Sequence, residues 1–164
     1  MAVEIRRASE DDWQLVRDVR LAALQDAPFA FGSTYERERA FGEATWRERL
    51  RNPENPTFLA FDTGKPVGID GIFTTDDGAR LLVAMWAAPT ERRKGVGASL
   101  TRAVIDWVAA RGETRLLLGV AEDNTPAARL YESLGFEFTG NSEPLRSDPR
   151  RRTLEMALKL PSQR

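Results

Sequence analysis

Leu81-Leu-Val-Ala-Met-Trp-Ala-Ala88 runs directly into Pro89-Thr-Glu-Arg-Arg-Lys-Gly-Val-Gly-Ala-Ser99. The first stretch reads as a strand apolar on both faces, which places it at the centre of a sheet covered on both sides. The second sets three basic residues and two glycines, one residue apart, where that strand hands over to a helical pattern. Glycine lets successive backbone N–H groups approach and point at an anion. The following helix adds its positive N-terminal end, and Arg92, Arg93 and Lys94 add full charge. Pro89 to Ser99 therefore reads as a phosphate cradle. For a bare Gly-x-Gly the alternative, a helix N-terminus with solvated basic residues after a proline turn, stays open.

On the C-terminal side, Val96, Leu100, Ala103, Val104, Trp107 and Val108 recur at helical spacing and predict one long helix, ending near Arg111-Gly112. Arg115 to Val120 is a second buried strand, so strand, helix and strand form a right-handed parallel crossover. The cradle then sits at the carboxyl end of a central strand, where open α/β sheets place their ligands. Ala121 to Phe136 follows, with Thr125 as the expected N-cap, Pro126 at the first helical position and Gly135 at the end. Ala127, Leu130, Tyr131 and Leu134 share one face of that helix, which turns Tyr131 toward the sheet, as core packing or as a working hydroxyl.

On the N-terminal side, Val3 to Arg7 alternates like a strand, and Ser9 with Asp12 forms a capping box for a helix reaching about Gln25. Leu15, Val19, Ala22 and Ala23 are its expected buried face. Asp26 to Tyr35 is an aromatic loop whose Phe29, Phe31 and Tyr35 either pack on the core or wall a substrate pocket. Short helices are expected over Thr34 to Ala40, with the charges of Glu36 to Arg39 read as a solvated face, and over Glu43 to Arg51. Thr57 to Asp62 and Pro66 to Thr74 form a hairpin. Asp70, inside its second strand, is expected to face solvent or to sit in a cleft where its charge has a use. Near the end, 136–139 reads as a strand, 140–152 as a polar loop carrying Arg150 to Arg152, either solvated or a lip for anions, and 152–160 as an alternating last strand.

Composition narrows the chemistry. With 41% hydrophobic and 30% charged residues over 164 positions, a single soluble domain with its own core is expected. There is no Cys and no His, so thiolate and imidazole chemistry are absent and proton transfer falls to carboxylates, Tyr, Lys or water. A net charge of -1 gives no electrostatic case for nucleic acid. No apolar run approaches the ~18 residues of a membrane span, and the first residues lack the apolar segment of a signal peptide, so a cytoplasmic protein with no membrane partner and no metal is expected.

Arg92-x-x-Gly95-x-Gly97 after a strand, followed by Asn124-x-x-Ala-x-x-x-Tyr131-x-x-x-Gly135-Phe136, resembles the GNAT superfamily of acyl-CoA-dependent N-acetyltransferases, over nearly the whole chain. The resemblance implies a mixed α/β sheet of about seven strands, with a splayed central parallel pair and about four flanking helices. It implies acetyl-CoA as co-substrate, a small-molecule or peptide amine as acceptor, and a monomer or homodimer. By the same resemblance the CoA pyrophosphate binds Arg92, Arg93, Lys94, Gly95, Val96, Gly97 and Ala98. The pantetheine arm lies along Met85, Trp86 and Ala87 and against Asn124, and Tyr131 serves as general acid at the sulfur. A Glu that several members carry five residues before the Asn is Gly119 here. Glu122, Asp123, Asp70, Glu36 and Glu38 remain as candidates for the base, beside a water chain. A non-catalytic acyl-CoA-binding module on the same scaffold stays open. A dinucleotide-binding reading is weak because the cradle lies deep in the chain.

Overall fold

The computed structural model describes residues 3–161. Seven strands form one sheet in the order β1-β2-β3-β4-β5-β7-β6: β1 (Glu4–Arg7), β2 (Thr57–Asp62), β3 (Lys65–Thr74), β4 (Arg80–Ala87), β5 (Arg115–Ala121), β6 (Glu137–Leu145) and β7 (Asp148–Lys159). Every neighbouring pair is antiparallel except β4 and β5. Five α-helices accompany them: α1 (Trp13–Asp26), α2 (Tyr35–Arg39), α3 (Glu43–Arg51), α4 (Val96–Ala110) and α5 (Thr125–Ser133).

The sheet is covered on both faces because its central strands are apolar on both. Val96, Leu100, Val104 and Val108 of α4 and Tyr131 of α5 pack with Val67, Leu82, Leu116 and Leu118. On the other face Val16, Val19, Ala23 and Leu24 of α1 and Trp46 of α3 pack with Leu59, Ile69 and Trp86. The α1 stripe is rotated from the expected one, and Leu15 is left 36% exposed. That rotation turns Arg20 inward, where it meets Glu38 of α2.

β4 and β5 pair only at Leu81↔Leu117 and Leu82↔Leu118, although both strands continue beyond. The cause lies in β4, which carries an extra residue between its pairings Gly71↔Val83 and Ile69↔Trp86, with Ala84 at φ +60°. A bulge of this kind bends the strand, and the sheet opens on the carboxyl side of the bulge.

The polar loop expected over 140–152 is instead most of a long hairpin, β6 turning at 146–147 into β7. Every residue of β6 but Leu145 is exposed. Hydrophobic alternation reports burial, so an edge strand held by backbone pairing and polar side-chain contacts does not show it. The edge also tolerates Pro144.

Candidate active site

The gap between β4 and β5 is part of a cleft of about 1850 Å³ lined from both sheet faces, by Phe31, Glu38 and Trp46 on one side and Val96, Gly97 and Tyr131 on the other. Its upper wall is the expected cradle. Arg93 and Gly95 both adopt left-handed backbone, φ +68° and +85°, the alternation that turns successive N–H groups into an anion-binding nest. Gly95 is also the N-cap of α4 and supplies no side-chain cap, so the first N–H groups of that helix have no partner within it. A Cβ on Gly95 would meet nothing within 4 Å. Gly97 has a different task, since a Cβ there would lie 3.0 Å from Leu130 Cδ2 and 3.4 Å from Met85 Cε. It lets α4 approach α5.

The basic residues divide. Arg92 does not extend into the cradle. Its Nε donates to the Ala87 carbonyl at 3.2 Å, and its Nη2 pairs with Asp26. Asp26 also accepts from Trp86 Nε1 at 3.0 Å, and these contacts tie the end of α1 to the end of β4. The Trp86 hydrogen bond and the Arg92 charge hold the Asp26 carboxyl below its usual range. Lys94 pairs with Glu91 at 3.2 Å, and Arg93 is exposed on the cleft wall.

Along the gap, Met85, Trp86 and Ala87 all line the cleft, and the Trp86 side chain is buried with the α1 face. Ala88 N–H donates to Val67 O at 2.8 Å. By strand alternation the Ala87 amide and carbonyl point the other way, into the gap, where Arg92 meets the carbonyl. Asn124, not Thr125, caps α5, its Oδ1 accepting from Ala127 N–H at 3.4 Å. Its Nδ2 remains available to the cleft.

Tyr131 is 5% exposed and stands edge-on to Phe136. Burial, and next the charge of Asp70, push its hydroxyl above the ordinary tyrosine range. Asp70 corrects the solvent-facing alternative: it is 0% exposed, opposite the β4 bulge, with neither carboxyl oxygen hydrogen-bonded. Burial pushes its carboxyl well above the usual range. The side chain is on the cleft wall, and its charge, when it ionises, raises the Tyr131 hydroxyl further. Ionising Asp70 in the folded protein costs more than in the unfolded chain, so stability falls as pH rises from the unfolded carboxylate value through the folded one. Asp70→Asn is expected to stabilise the fold at pH 7 by about 1–3 kcal/mol and to flatten that slope, as denaturant melts at pH 4 and 7 would read. A less stable variant would contradict the assignment.

Of the other carboxylate candidates, Glu122 and Glu36 lie off the cleft wall, and Asp123 and Glu38 are on it but paired with arginines. Glu122 is exposed, lies off the cleft wall and accepts from Arg152 N–H at 3.3 Å. Asp123 is at the cleft but pairs with Arg151. Glu36 is exposed. Glu38 is not on the solvated face expected for α2: it is 1% exposed, held by Arg20 through two contacts of 3.0 Å and by Arg49 at 3.2 Å. Gly119 cannot be the family glutamate without rearrangement, because a Cβ there would lie 2.5 Å from Thr153 Cγ2.

Of the aromatic loop, Phe31 is buried on the cleft wall beneath the Arg20 guanidinium, 4.9 Å from its ring centre. Tyr35 packs with the α1 face and lies off the wall. The Phe29 side chain lies outside the described residues. Ser147 Oγ donates to Phe31 O at 2.6 Å, so the β6–β7 turn closes the same side of the cleft. Arg150 pairs with Asp148 and Arg152 with Ser142. Among the described residues no group of acidic side chains could hold a metal ion, and no helix is long and apolar enough to cross a membrane.

The sequence profile of the Acetyltransferase (GNAT) family matches residues 17–136, and the chain belongs to that family. It is 24% identical over 147 residues to a phosphinothricin N-acetyltransferase of Streptomyces coelicolor, the match covering 84% of each chain. It is 47% identical over 49 residues to a mycothiol acetyltransferase of Renibacterium salmoninarum, covering 30% of this chain and 14% of that protein. The match spans about one seventh of the length of this mycothiol enzyme and of that of Streptosporangium roseum, and 41% of that of Gordonia bronchialis. Among solved structures, a GCN5-related N-acetyltransferase from Kribbella flavida superposes with a TM-score of 0.77 at 23% identity, covering 97% of this chain and 98% of that one. A Salmonella typhimurium protein solved with its cofactor acetyl-CoA gives 0.77 at 20% identity, covering 100% and 97%. These likenesses concern the fold.

Proposed function

We propose that the protein transfers an acetyl group from acetyl-CoA to a primary amine by direct attack on the thioester. The observation that carries this reading is the alignment of three features along one cleft: an anion nest at Arg93–Gly95, an opened β4/β5 edge, and the buried hydroxyl of Tyr131. An acyl-CoA has a pyrophosphate, an amide-bearing arm and a thioester in that order. The nest and the first N–H groups of α4 hold the pyrophosphate, the free edges of β4 and β5 pair with the arm, and Asn124 Nδ2 adds a donor.

When bound, acetyl-CoA supplies a thioester carbonyl that the amine attacks, so that a C–N bond forms, the C–S bond breaks and the thiol leaves. The Ala87 N–H, pointing into the gap, donates to the carbonyl oxygen as its charge grows. Tyr131 donates its proton to the departing sulfur and later regains one from water. A phenol above its usual pKa is a weak acid in the resting state. The same burial raises the pKa of a thiol, so the proton moves as charge reaches sulfur. Neither Asp70, whose burial favours the protonated carboxyl, nor Glu38, locked to arginines, takes the amine proton. It leaves through water in the open part of the cleft.

Tyr131→Phe keeps the ring and its contact with Phe136, and is expected to lower kcat by about 10²–10⁴-fold in a thiol-release assay with KM for acetyl-CoA little changed. Unchanged turnover would remove Tyr131 from the chemistry.

A further inference from the structure

The part of the cleft wall built by α1, α2 and α3 contains hydrogen-bond donors and an excess of positive charge. Glu38 carries one negative charge and is met by two arginines, Arg20 and Arg49. Arg20 uses Nε and Nη2 on Glu38, while its Nη1 is buried with no partner among the described residues. Trp46, 1% exposed and stacked beneath Arg49 at 5.1 Å, likewise buries an indole Nε1–H with no partner. A buried donor without an acceptor costs about 1–3 kcal/mol, and two of them meet here around one ion cluster. Both residues line the cleft, as do Arg37 and Arg146, which have no ion pair among the described residues. Glu48 and Glu143 are also on the wall, exposed to water as Arg37 and Arg146 are, so four arginines (Arg20, Arg37, Arg49 and Arg146) face three glutamates (Glu38, Glu48 and Glu143) and one positive charge is in excess.

Orphaned donors with surplus positive charge are completed by a group that only accepts hydrogen bonds and carries negative charge. A neutral amine would leave both donors unsatisfied, and a polycation would be repelled. We propose, building on the acetyltransferase reading above, that the acceptor is an amine bearing an oxyacid group, carboxylate or phosphonate, held by Arg20 Nη1 and Trp46 Nε1. The amine end of such a molecule extends toward the β4/β5 gap, and the acid end selects it. Acid-bearing small molecules such as free amino acids thereby become the substrate class, in preference to polyamines and aminoglycosides.

Calorimetric titration of the full chain, with and without CoA, tests this through matched pairs. The probes are glycine, L-alanine and L-glutamate against their α-carboxamides, and 2-aminoethylphosphonate against ethanolamine. The acid of at least one pair is expected to bind about tenfold or more tightly than its neutral partner, and the carboxylate and phosphonate arms tell which oxyacid fits. Trp46→Phe keeps a ring beneath Arg49 and removes the indole donor, at the cost of a small cavity where the larger ring was buried. Checked for folding by its melting curve, it is expected to shrink that preference severalfold. Neutral partners bound as tightly as the acids, including the case where none binds, would overturn the proposal, as would an unaltered preference in Trp46→Phe. Failure of CoA itself to bind would count against the acetyltransferase reading alone, since the CoA-free titration still reads the anion site.

Discussion

A Gly95→Asp protein is expected to lose acetyl-CoA binding by about 100-fold or more while remaining folded. Gly95 is at φ +85° with open space where a side chain would begin, so the cost to the fold is the left-handed backbone alone, about 1–2 kcal/mol for a non-glycine residue, with Asp among the better tolerated. The carboxylate would stand at the N-terminus of α4, where the pyrophosphate is proposed to sit. Like charges brought together at a binding surface cost several kcal/mol, and every 1.4 kcal/mol is a tenfold loss of affinity. Gly95→Ala makes the control, with the same backbone strain and no charge, and should bind within about tenfold of the parent. The neighbouring Gly97 is a poorer probe, because its Cβ would press Leu130 and confuse lost binding with displaced α5. Ordinary acetyl-CoA affinity in Gly95→Asp would place the cofactor elsewhere.

The largest stability loss is expected from Glu38→Gln, about 3–5 kcal/mol, because the change leaves the Arg20 guanidinium buried without its counter-ion. Burial by itself would raise the Glu38 pKa. The hydrogen bonds and charge of Arg20, with the charge of Arg49, more than offset this and lower it from 4.5 to about 2. The folded protein therefore binds this proton more weakly than the unfolded chain. The resulting stabilisation, about 3 kcal/mol, is fully present above pH 4.5 and is lost as pH falls toward 2. Denaturant unfolding of parent and variant at pH 7 and pH 3 reads both effects: the two proteins should differ widely at pH 7 and converge in acid. A constant difference across that range would mean that the glutamate is not held ionised by its arginines.

Glycines, capping residues and apolar runs are local signals, and they carried the cradle, the crossover and the placement of Tyr131 from the sequence into the structure. The polar residues of the cleft are a different matter. Glu38 lies in the run Glu36-Arg-Glu-Arg39, which looks like any solvated helix face. Its burial depends on Arg20, 18 residues earlier, and Arg49, 11 later, which no local pattern links. Asp70 breaks a strand's apolar run, which marks it as unusual. That it is sealed opposite a β4 bulge follows from the register of two strands. The β6 arm over 137–145 shows the converse, an element with one buried residue and so no periodicity to find. Arg92 matched its motif position, yet the nearby Asp26 draws it back to the strand end.

The most direct test incubates the purified protein with acetyl-CoA and each of several amine classes, acid-bearing amines among them, and follows free thiol together with the mass of the acceptor. One CoA thiol released for each acetylated amine, abolished in Gly95→Asp and strongly reduced in Tyr131→Phe, is the expected result. Tight acetyl-CoA binding with neither thiol nor acetylated product from any amine would contradict it, and would make the protein an acyl-CoA-binding module on an acetyltransferase fold.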